Sequence, residues 1–460
     1  MSKEYKNIGF IVAENAEAAE KLALETFPQI KDGNYKLIQD ADCLDTWFSS
    51  WLWPISVFDG INEPDNKDIK YYYPTNDLVT APEIIFFWVA RMIMAGEEYQ
   101  QKEPFKNVYF TGIVRDALGR KMSKSLGNSP DPIELIEKYG ADSVRMGMLL
   151  SSPAGNDLPF DESLCEQGRN FCNKIWNAFR LVKGWEVDEL HVGNGMPKKD
   201  IIVSNWFLAL LIQTEKELDD LCSKYRLSEA LTLLYKVFWD DYCSWYLEVI
   251  KPEFGQNIAC YTSEDAITFF EELLKLLHPF MPFITEEIFH NLSEGNETIM
   301  LEKLTVYEEF HEEKITEFEI VKEIITNIRN IRQQKNISPK EALTLYITGE
   351  YNDSYDDVIK KLGNIAHIET TDEKPSNSVS FLVGTTEFSI PVAINAEEEI
   401  AKMEEEIEYL QGFLKSVNAK LNNEKFIANA KPEIIENERK KQADAESKIS
   451  SLKANIEKLK

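Results

Sequence analysis

Val108-Tyr109-Phe110-Thr111-Gly112 and, a short connection later, Lys121-Met122-Ser123-Lys124-Ser125 form the stretch of sequence that decides the fold. The first run is rich in aromatic and β-branched residues, which predicts a buried strand. Residues 132–139, beyond the second run, are predicted to form a helix. A strand, a loop and a helix in this order are typical of an open parallel sheet, which binds ligands beyond the carboxyl ends of its strands. The lysine-containing run therefore lies where such a sheet would hold a ligand.

The chemistry of this loop follows from its two lysines, which stand among hydroxyls between Gly119 and Gly127. When a carboxylate attacks the α-phosphate of ATP, negative charge accumulates on the phosphate oxygens. Mobile ammonium groups stabilise that transition state more than the ground state. Lys121 and Lys124 are therefore candidate catalytic residues, and residues 121–125 a candidate ATP-phosphate site. A solvated basic loop without a ligand is the alternative interpretation.

The bulk composition limits the classes of function. A chain of 460 residues is expected to fold as two to four domains. Its formal net charge of -29 has the wrong sign for contacts with phosphate, so any nucleic-acid surface must be local. No apolar run approaches the length of a membrane span, and a cytoplasmic location is expected. The six cysteines form no CxxC pair, which predicts free thiols and no protein-bound metal.

The first third of the chain predicts an α/β region. A strand is expected at residues 9–13 and a helix at 16–26. A longer helix is predicted over 80–94, because Thr80 and Glu83 have the spacing of a capping box.

The middle of the chain predicts a helical bundle followed by a smaller module. Apolar residues recur at helical spacing from Arg169 to about residue 292, with a break near Pro279 and Pro282. Strand-like runs at 343–347 and 379–383, after another helix, predict a small α+β module.

The C-terminal segment has the clearest periodicity. Two apolar seams step by three and four residues, which predicts two heptad helices that fold back as an antiparallel coiled-coil hairpin. A structural or dimerising coiled coil is the alternative. The first seam is Ile400, Met403, Ile407, Leu410, Leu414, Val417 and Leu421, and the second is Ala445, Ile449, Leu452, Ile456 and Leu459.

Several separate motifs resemble one enzyme family. The lysine loop, with its flanking runs at 112–116, 126–132 and 139–145, resembles the signature loop of class I aminoacyl-tRNA synthetases. Within that class the chain is similar to the valyl-tRNA synthetases at residues 44–50, 84–92, 169–174 and 423–426. At 47–50 it has Trp-Phe-Ser-Ser, where isoleucyl enzymes usually have Trp-Phe-Asp-Ser.

The resemblance implies a multidomain protein. Its parts would be a Rossmann-like α/β catalytic half, an all-α anticodon-binding bundle, a small α+β module and a C-terminal coiled-coil tRNA-binding arm. The implied boundaries are 1–41 for the tail of an upstream insertion or editing region, 42–150 for the second half of the catalytic domain, 151–168 for a connecting segment, 169–315 for the bundle, 316–395 for the module and 396–460 for the arm.

The resemblance also implies a pocket for a small aliphatic amino acid. Trp47, Ile84 and Trp88 correspond to its walls, and Ile84 and Trp88 would share one face of a helix. Ordinary core packing is the alternative for these three. Glu83 stands where the family commonly has an aspartate that pairs with the substrate ammonium. Its other possible role is the helix cap.

One family motif is missing. Class I enzymes bind ATP with a His-x-Gly-His motif, but no two of the five histidines here stand three residues apart. The resemblance therefore predicts the C-terminal portion of a valine–tRNA ligase that acts on L-valine, ATP with Mg²⁺ and tRNA-Val. Alone, it would neither activate valine well nor edit. A separate N-terminal half is a possible partner, and the whole enzyme is expected to be monomeric. A non-catalytic tRNA-binding protein is the alternative function.

Overall fold

The computed structural model describes residues 6–31, 33, 35–116, 118–151, 157–188, 195–292, 298–307, 310–392 and 396–421, followed by separate positions between 435 and 453. Only the backbone is described for Lys124 and for residues 396–403 and 406. The chain divides into two compact units, residues 1–128 with 152–160, and residues 129–151 with 161–460. None of the helices in the described part is long and apolar enough to cross a membrane.

The first unit is built around two parallel strands. Leu78 of one strand lies opposite Val108 of the other, and a helix connects them. Two further short strands, also parallel, pair Val114 with Leu158. The helices are α1 (Ala16–Thr26), α2 (Thr46–Ser50), α3 (Trp53–Ser56), α4 (Lys67–Tyr72) and α5 (Ala90–Gln100). The strands are β1 (Thr75–Thr80), β2 (Phe105–Phe110), β3 (Val114–Arg115) and β4 (Leu158–Pro159).

The predicted capping box at Thr80 is wrong. Thr80 is the last residue of β1, where its carbonyl accepts from Thr111 N at 2.9 Å. No side chain caps the following 3₁₀ turn, Pro82–Ile84, which leads through a π-helical turn, Ile85–Val89, into α5. Pairing with β2 keeps Thr80 extended, so the predicted helix over 80–94 begins later and starts irregularly.

The strand predicted at residues 9–13 is also wrong. These residues form no strand, and Phe10 and Val12 are 87% and 82% exposed. An apolar run forms a strand only where a partner strand satisfies its backbone groups, and no described residue pairs with it.

The second unit begins as a helical bundle with one large core. Aromatic side chains from at least five helical segments meet in its core, where Trp206 stacks on Phe318 with ring centroids 3.9 Å apart. Pro279 and Pro282 separate two helices, as the sequence predicts. The helices are α6 (Pro132–Tyr139), α7 (Ala141–Leu150), α8 (Glu162–Lys183), α9 (Lys198–Ser223), α10 (Leu227–Lys236), α11 (Leu247–Ile250), α12 (Cys260–Leu277) and α13 (Pro282–Leu292), with a π-helical segment (Val237–Tyr246) between α10 and α11.

Helix α7 packs closely on α8 and bonds to the start of α13. Gly168 lets α8 approach closely, because a Cβ there would lie 2.6 Å from the Ser143 carbonyl oxygen. Buried Asp142 accepts from Ile284 N at 2.7 Å and from Phe283 N at 3.3 Å, and so satisfies the first turn of α13.

A four-stranded sheet follows the bundle in the order β8-β7-β10-β9. The β7–β8 pair is parallel and the other pairs are antiparallel. The elements are α14 (Glu312–Gln334), β7 (Leu343–Thr348), α15 (Asp356–Gly363), β8 (Ile365–Thr370), β9 (Ser378–Val383) and β10 (Thr386–Pro391). A short parallel pair, β5 (Val187–Asp188) and β6 (Ile258–Ala259), lies within the bundle.

Helix α16 (Ala396–Leu421) comes next, and the separate described positions between 435 and 453 are also helical. Ile407 and Val417 of its predicted seam are buried, and Lys420 Nζ lies 3.4 Å from Glu438 Oε2. The predicted interruption at residues 422–434 and the seam residues Leu452, Ile456 and Leu459 lie outside the described residues.

Candidate functional site

The lysine loop is a tight reversal of the chain after β3. Arg115 and Lys121 form an antiparallel bridge. Between them, Asp116 N donates to Arg120 O at 2.9 Å, and Gly119 N donates to Asp116 O at 2.8 Å. Gly119 has φ +75°, a conformation that costs glycine little. The loop therefore returns Lys121 to the end of β3.

Two predicted site residues contact each other directly. Lys121 Nζ donates to Glu83 Oε2 at 2.8 Å, and both side chains are more than half exposed. The sequence assigns Lys121 to the ATP phosphates and Glu83 to an ammonium group. In the structure their opposite charges compensate each other.

The loop ends in a short 3₁₀ turn that begins after Ser123. Met122 N donates to Val114 O at 3.4 Å, and the hydroxyls of Ser123 and Ser125 lie 3.1 Å apart. The backbone of Lys124 begins the turn Lys124–Leu126, but its side chain lies outside the described part of the chain.

The predicted pocket tryptophans contact different rings. Trp47 stacks on Phe87, with centroids 6.0 Å apart. Trp88 stacks on Trp53 at 5.7 Å, and its Nε1 donates to Ser50 O at 3.0 Å.

Ile84 is half-buried and ends the 3₁₀ turn before the π-helical turn that holds Trp88. The α-helical spacing on which their shared face was predicted is therefore absent. Single π-helical turns are frequent at functional sites.

Two site residues were missed by the sequence analysis. Asp116 and Asn128 bond to each other and to the backbone of the lysine loop. The spacing of Asp116 and Gly119 is a turn signal that could have indicated the first. No local pattern marks Asn128.

Comparisons with known proteins match most of the chain to three family models. Residues 1–161 match tRNA synthetases class I (I, L, M and V), and residues 204–347 match the anticodon-binding domain of tRNA ligase. Residues 395–460 match the valyl tRNA synthetase tRNA binding arm. A LeuRS–tRNA–LeuAMS crystal structure from Agrobacterium radiobacter K84 covers 77% of this chain and 42% of its own, with 16% identity and a TM-score of 0.46.

Curated relatives are similar over almost the whole chain. A valine–tRNA ligase of Phocaeicola vulgatus is 58% identical over 98% of this chain and 52% of its own length. One of Fusobacterium nucleatum is 39% identical over 97% of this chain and 52% of its own length. The chain thus spans about half the length of the curated relatives it matches. The resemblance seen in the sequence is confirmed, and the chain belongs to the valyl-tRNA synthetase family of class I aminoacyl-tRNA synthetases.

Proposed function

We propose that this chain is the C-terminal portion of a valine–tRNA ligase, which forms valyl-adenylate from L-valine and ATP and transfers the valyl group to tRNA-Val. The observation that carries the proposal is its 58% identity over 98% of its length to a relative of that name. The site geometry supports it, because the loop lysine and the pocket glutamate lie in hydrogen-bond contact.

The lysine loop would bind the phosphates of ATP. The valine carboxylate attacks the α-phosphorus, a P–O bond forms, and pyrophosphate leaves with the bonding electrons. Lys121 and Lys124 would stabilise the charge on the phosphate oxygens, while Met122, Ser123 and Ser125 supply backbone amides and hydroxyls. Mg²⁺ would enter with ATP and need no protein ligand set.

The amino-acid pocket would be formed by Trp47, Ile84 and Trp88. Glu83 would accept the ammonium group of valine. For this, Glu83 must exchange its bond with Lys121 for one with the substrate. Exposed ion pairs are worth only about 0–1 kcal/mol, so the exchange costs little.

The remaining segments would bind tRNA-Val. We infer the division into 1–41, 42–150, 151–168, 169–315, 316–395 and 396–460, in which the bundle binds the anticodon stem and loop and the last segment is an antiparallel coiled-coil arm. The Lys420–Glu438 contact supports a chain that folds back there. The whole enzyme would act as a cytoplasmic monomer, with an N-terminal half supplied in the same or a separate chain.

Valine-dependent exchange of pyrophosphate into ATP tests the proposal. The 460-residue chain would be assayed alone and with the separately expressed N-terminal half of the Phocaeicola vulgatus relative. We expect exchange only in the mixture, and a loss on the order of 100-fold for Lys124→Ala, since one lost transition-state contact typically costs that much.

Fluorescence anisotropy with labelled tRNA-Val distinguishes the proposed function from the alternative, a non-catalytic tRNA-binding protein. Binding of tRNA-Val without exchange in any combination would indicate a non-catalytic tRNA-binding protein. Robust exchange by the chain alone would contradict the assignment of the other ATP contacts to a separate half.

A further inference from the structure

We propose that Asp116 and Asn128 act as positioning residues that hold the lysine loop in its phosphate-binding conformation. The inference rests on the proposed function, and it concerns residues to which neither the family motif nor the comparisons give a role. Together, the two side chains form a loop clamp.

Both carboxylate oxygens of Asp116 are used within the loop. Oδ1 accepts from Arg120 N at 2.8 Å and from Leu118 N at 3.0 Å. Oδ2 accepts from Arg120 Nε at 2.8 Å and from Asn128 Nδ2 at 3.0 Å. One carboxylate thus joins the start, the tip and the end of the loop.

The amide of Asn128 extends this network to the lysine motif itself. Its Oδ1 accepts from Ser123 N at 2.9 Å, and its Nδ2 also donates to Lys121 O at 3.3 Å. Gly127, with φ +61°, turns the chain so that Asn128 comes back to the loop. The backbone is therefore held on both sides of Met122, between the two lysines.

The environment of the carboxylate favours this role. The Asp116 side chain is 12% exposed, whereas that of its partner Arg120 is 56% exposed. The hydrogen bond from Asn128 and that from Arg120 hold the pKa of Asp116 well below its usual range. An ionised acceptor makes these hydrogen bonds charge-assisted, which makes them shorter and stronger than neutral ones.

A loop ordered before ATP arrives loses less conformational entropy on binding. The clamp holds the backbone of Lys121 and of Ser123, the residue before Lys124. It would therefore act through the two lysines and would not itself touch the phosphates. Its loss should weaken phosphate binding while the rest of the unit stays folded.

Limited trypsin digestion of the full chain tests the ordering directly. Cleavage after Arg120, Lys121 and Lys124 would be followed by mass spectrometry in wild type, Asn128→Ala and Asp116→Asn. We expect about tenfold faster cleavage at these three sites in both variants, because local opening exposes them. Asn107→Ala is the matched control, since Asn107 Nδ2 also donates to an aspartate, Asp77 Oδ1, at 3.1 Å outside the loop.

Inorganic pyrophosphate then tests the positioning role without requiring activity. It should protect the three sites in wild type and in Asn107→Ala, and the concentration for half-protection should rise about tenfold in the clamp variants. Clamp variants that match Asn107→Ala in both measurements would overturn the proposal. If pyrophosphate protects no form even in the mixture with the N-terminal half, the phosphate site of the proposed function is wrong. Unchanged cleavage of the clamp variants without ligand would instead show that the clamp does not order the loop.

Steady-state pyrophosphate exchange, measured in the mixture with the N-terminal half, distinguishes a positioning role of the clamp from a general loss of structure. Asn128→Ala should raise the KM for ATP about tenfold and leave the KM for valine unchanged. Equal changes in both KM values would contradict a role specific to the phosphate loop.

Discussion

Glu83 and Lys121, two proposed binding residues, form an ion pair with each other. Their 2.8 Å contact joins residues that are 38 positions apart in the chain. Because both side chains are more than half exposed, their attraction is screened by solvent and is worth about 1 kcal/mol or less. In the proposed function, a substrate ammonium and an ATP phosphate would therefore replace the two partners at small cost.

A second glutamate provides a prediction about stability. Glu215 lies in α9 near Glu272, and its Oε1 is buried without a hydrogen-bond partner among the described residues. Burial, and then the charge of Glu272, raise the pKa of Glu215 to about 7, although Lys275 opposes the shift. Nearby Tyr307 also has a pKa raised, to about 12, chiefly by burial. The carboxyl group is therefore held in surroundings that favour its protonated form.

Glu215→Gln should stabilise the protein above pH 7. A carboxyl whose pKa is raised in the folded state stabilises the protein fully at pH values below its unfolded pKa. For Glu215 this stabilisation is lost as the pH rises through about 7, because the buried carboxyl then ionises. Glutamine cannot ionise. At pH 8 the free energy of unfolding of the variant should therefore exceed that of wild type by on the order of 1–2 kcal/mol, after allowance for solvent screening. At pH 4.5 the two should differ little. Urea unfolding at several pH values measures this, with exposed Glu217→Gln in the same helix as control. Identical pH profiles for wild type and both variants would contradict it.

At the scale of elements, the sequence predicts the bounds of a helix correctly where residues at the ends of that helix determine them. Helix α6 spans Pro132–Tyr139, as predicted, because Asp131 accepts from Ile133 N and Gly140 leaves the helix with φ +89°. Thr80 carries an equally good local signal, but pairing of β1 with β2 overrides it. The Glu83–Lys121 contact was beyond sequence reasoning for the same reason, since it depends on how distant segments pack.

Helix α8 separates its apolar and charged residues clearly. Phe171, Ile175, Ala178 and Phe179 are buried, as the helical spacing predicts. From Arg169 to Lys183 the helix carries no acidic residue, although the whole chain has a net charge of -29. Trp176, 37% exposed, and Arg180 lie on its outer surface. This surface has the charge that contacts with an RNA backbone require.

Replacing Arg180 and Lys183 together with glutamine should weaken binding of tRNA-Val. Each lost phosphate contact should also reduce the slope of log affinity against log salt by about 1. Fluorescence anisotropy at several salt concentrations measures both effects. Lys224→Gln with Arg226→Gln is the control, because these exposed residues pair with Asp220 and Glu229. Equal losses in the two double variants would mean that net charge, and not this surface, controls binding.

At the scale of the whole molecule, the two units differ in how much apolar surface they bury. The second unit has one continuous core that runs from the bundle into the four-stranded sheet. The described residues of the first form two small clusters, one around Met92 and one around Ile55. It also leaves Phe10, Val12 and Phe86 more than four-fifths exposed. Since burial of apolar surface is the main stabilising contribution, the first unit should be the less stable of the two.

Calorimetry of the full chain should therefore show two transitions, and two matched substitutions should assign them. Met92→Ala and Leu211→Ala each remove a side chain with 0% exposure, one from each unit. Each loss should cost about 2–5 kcal/mol. We expect Met92→Ala to lower only the first transition and Leu211→Ala only the second, because a cavity destabilises the core that contains it. If a single transition shifts equally in both variants, the units unfold together, and the difference between their cores does not govern stability.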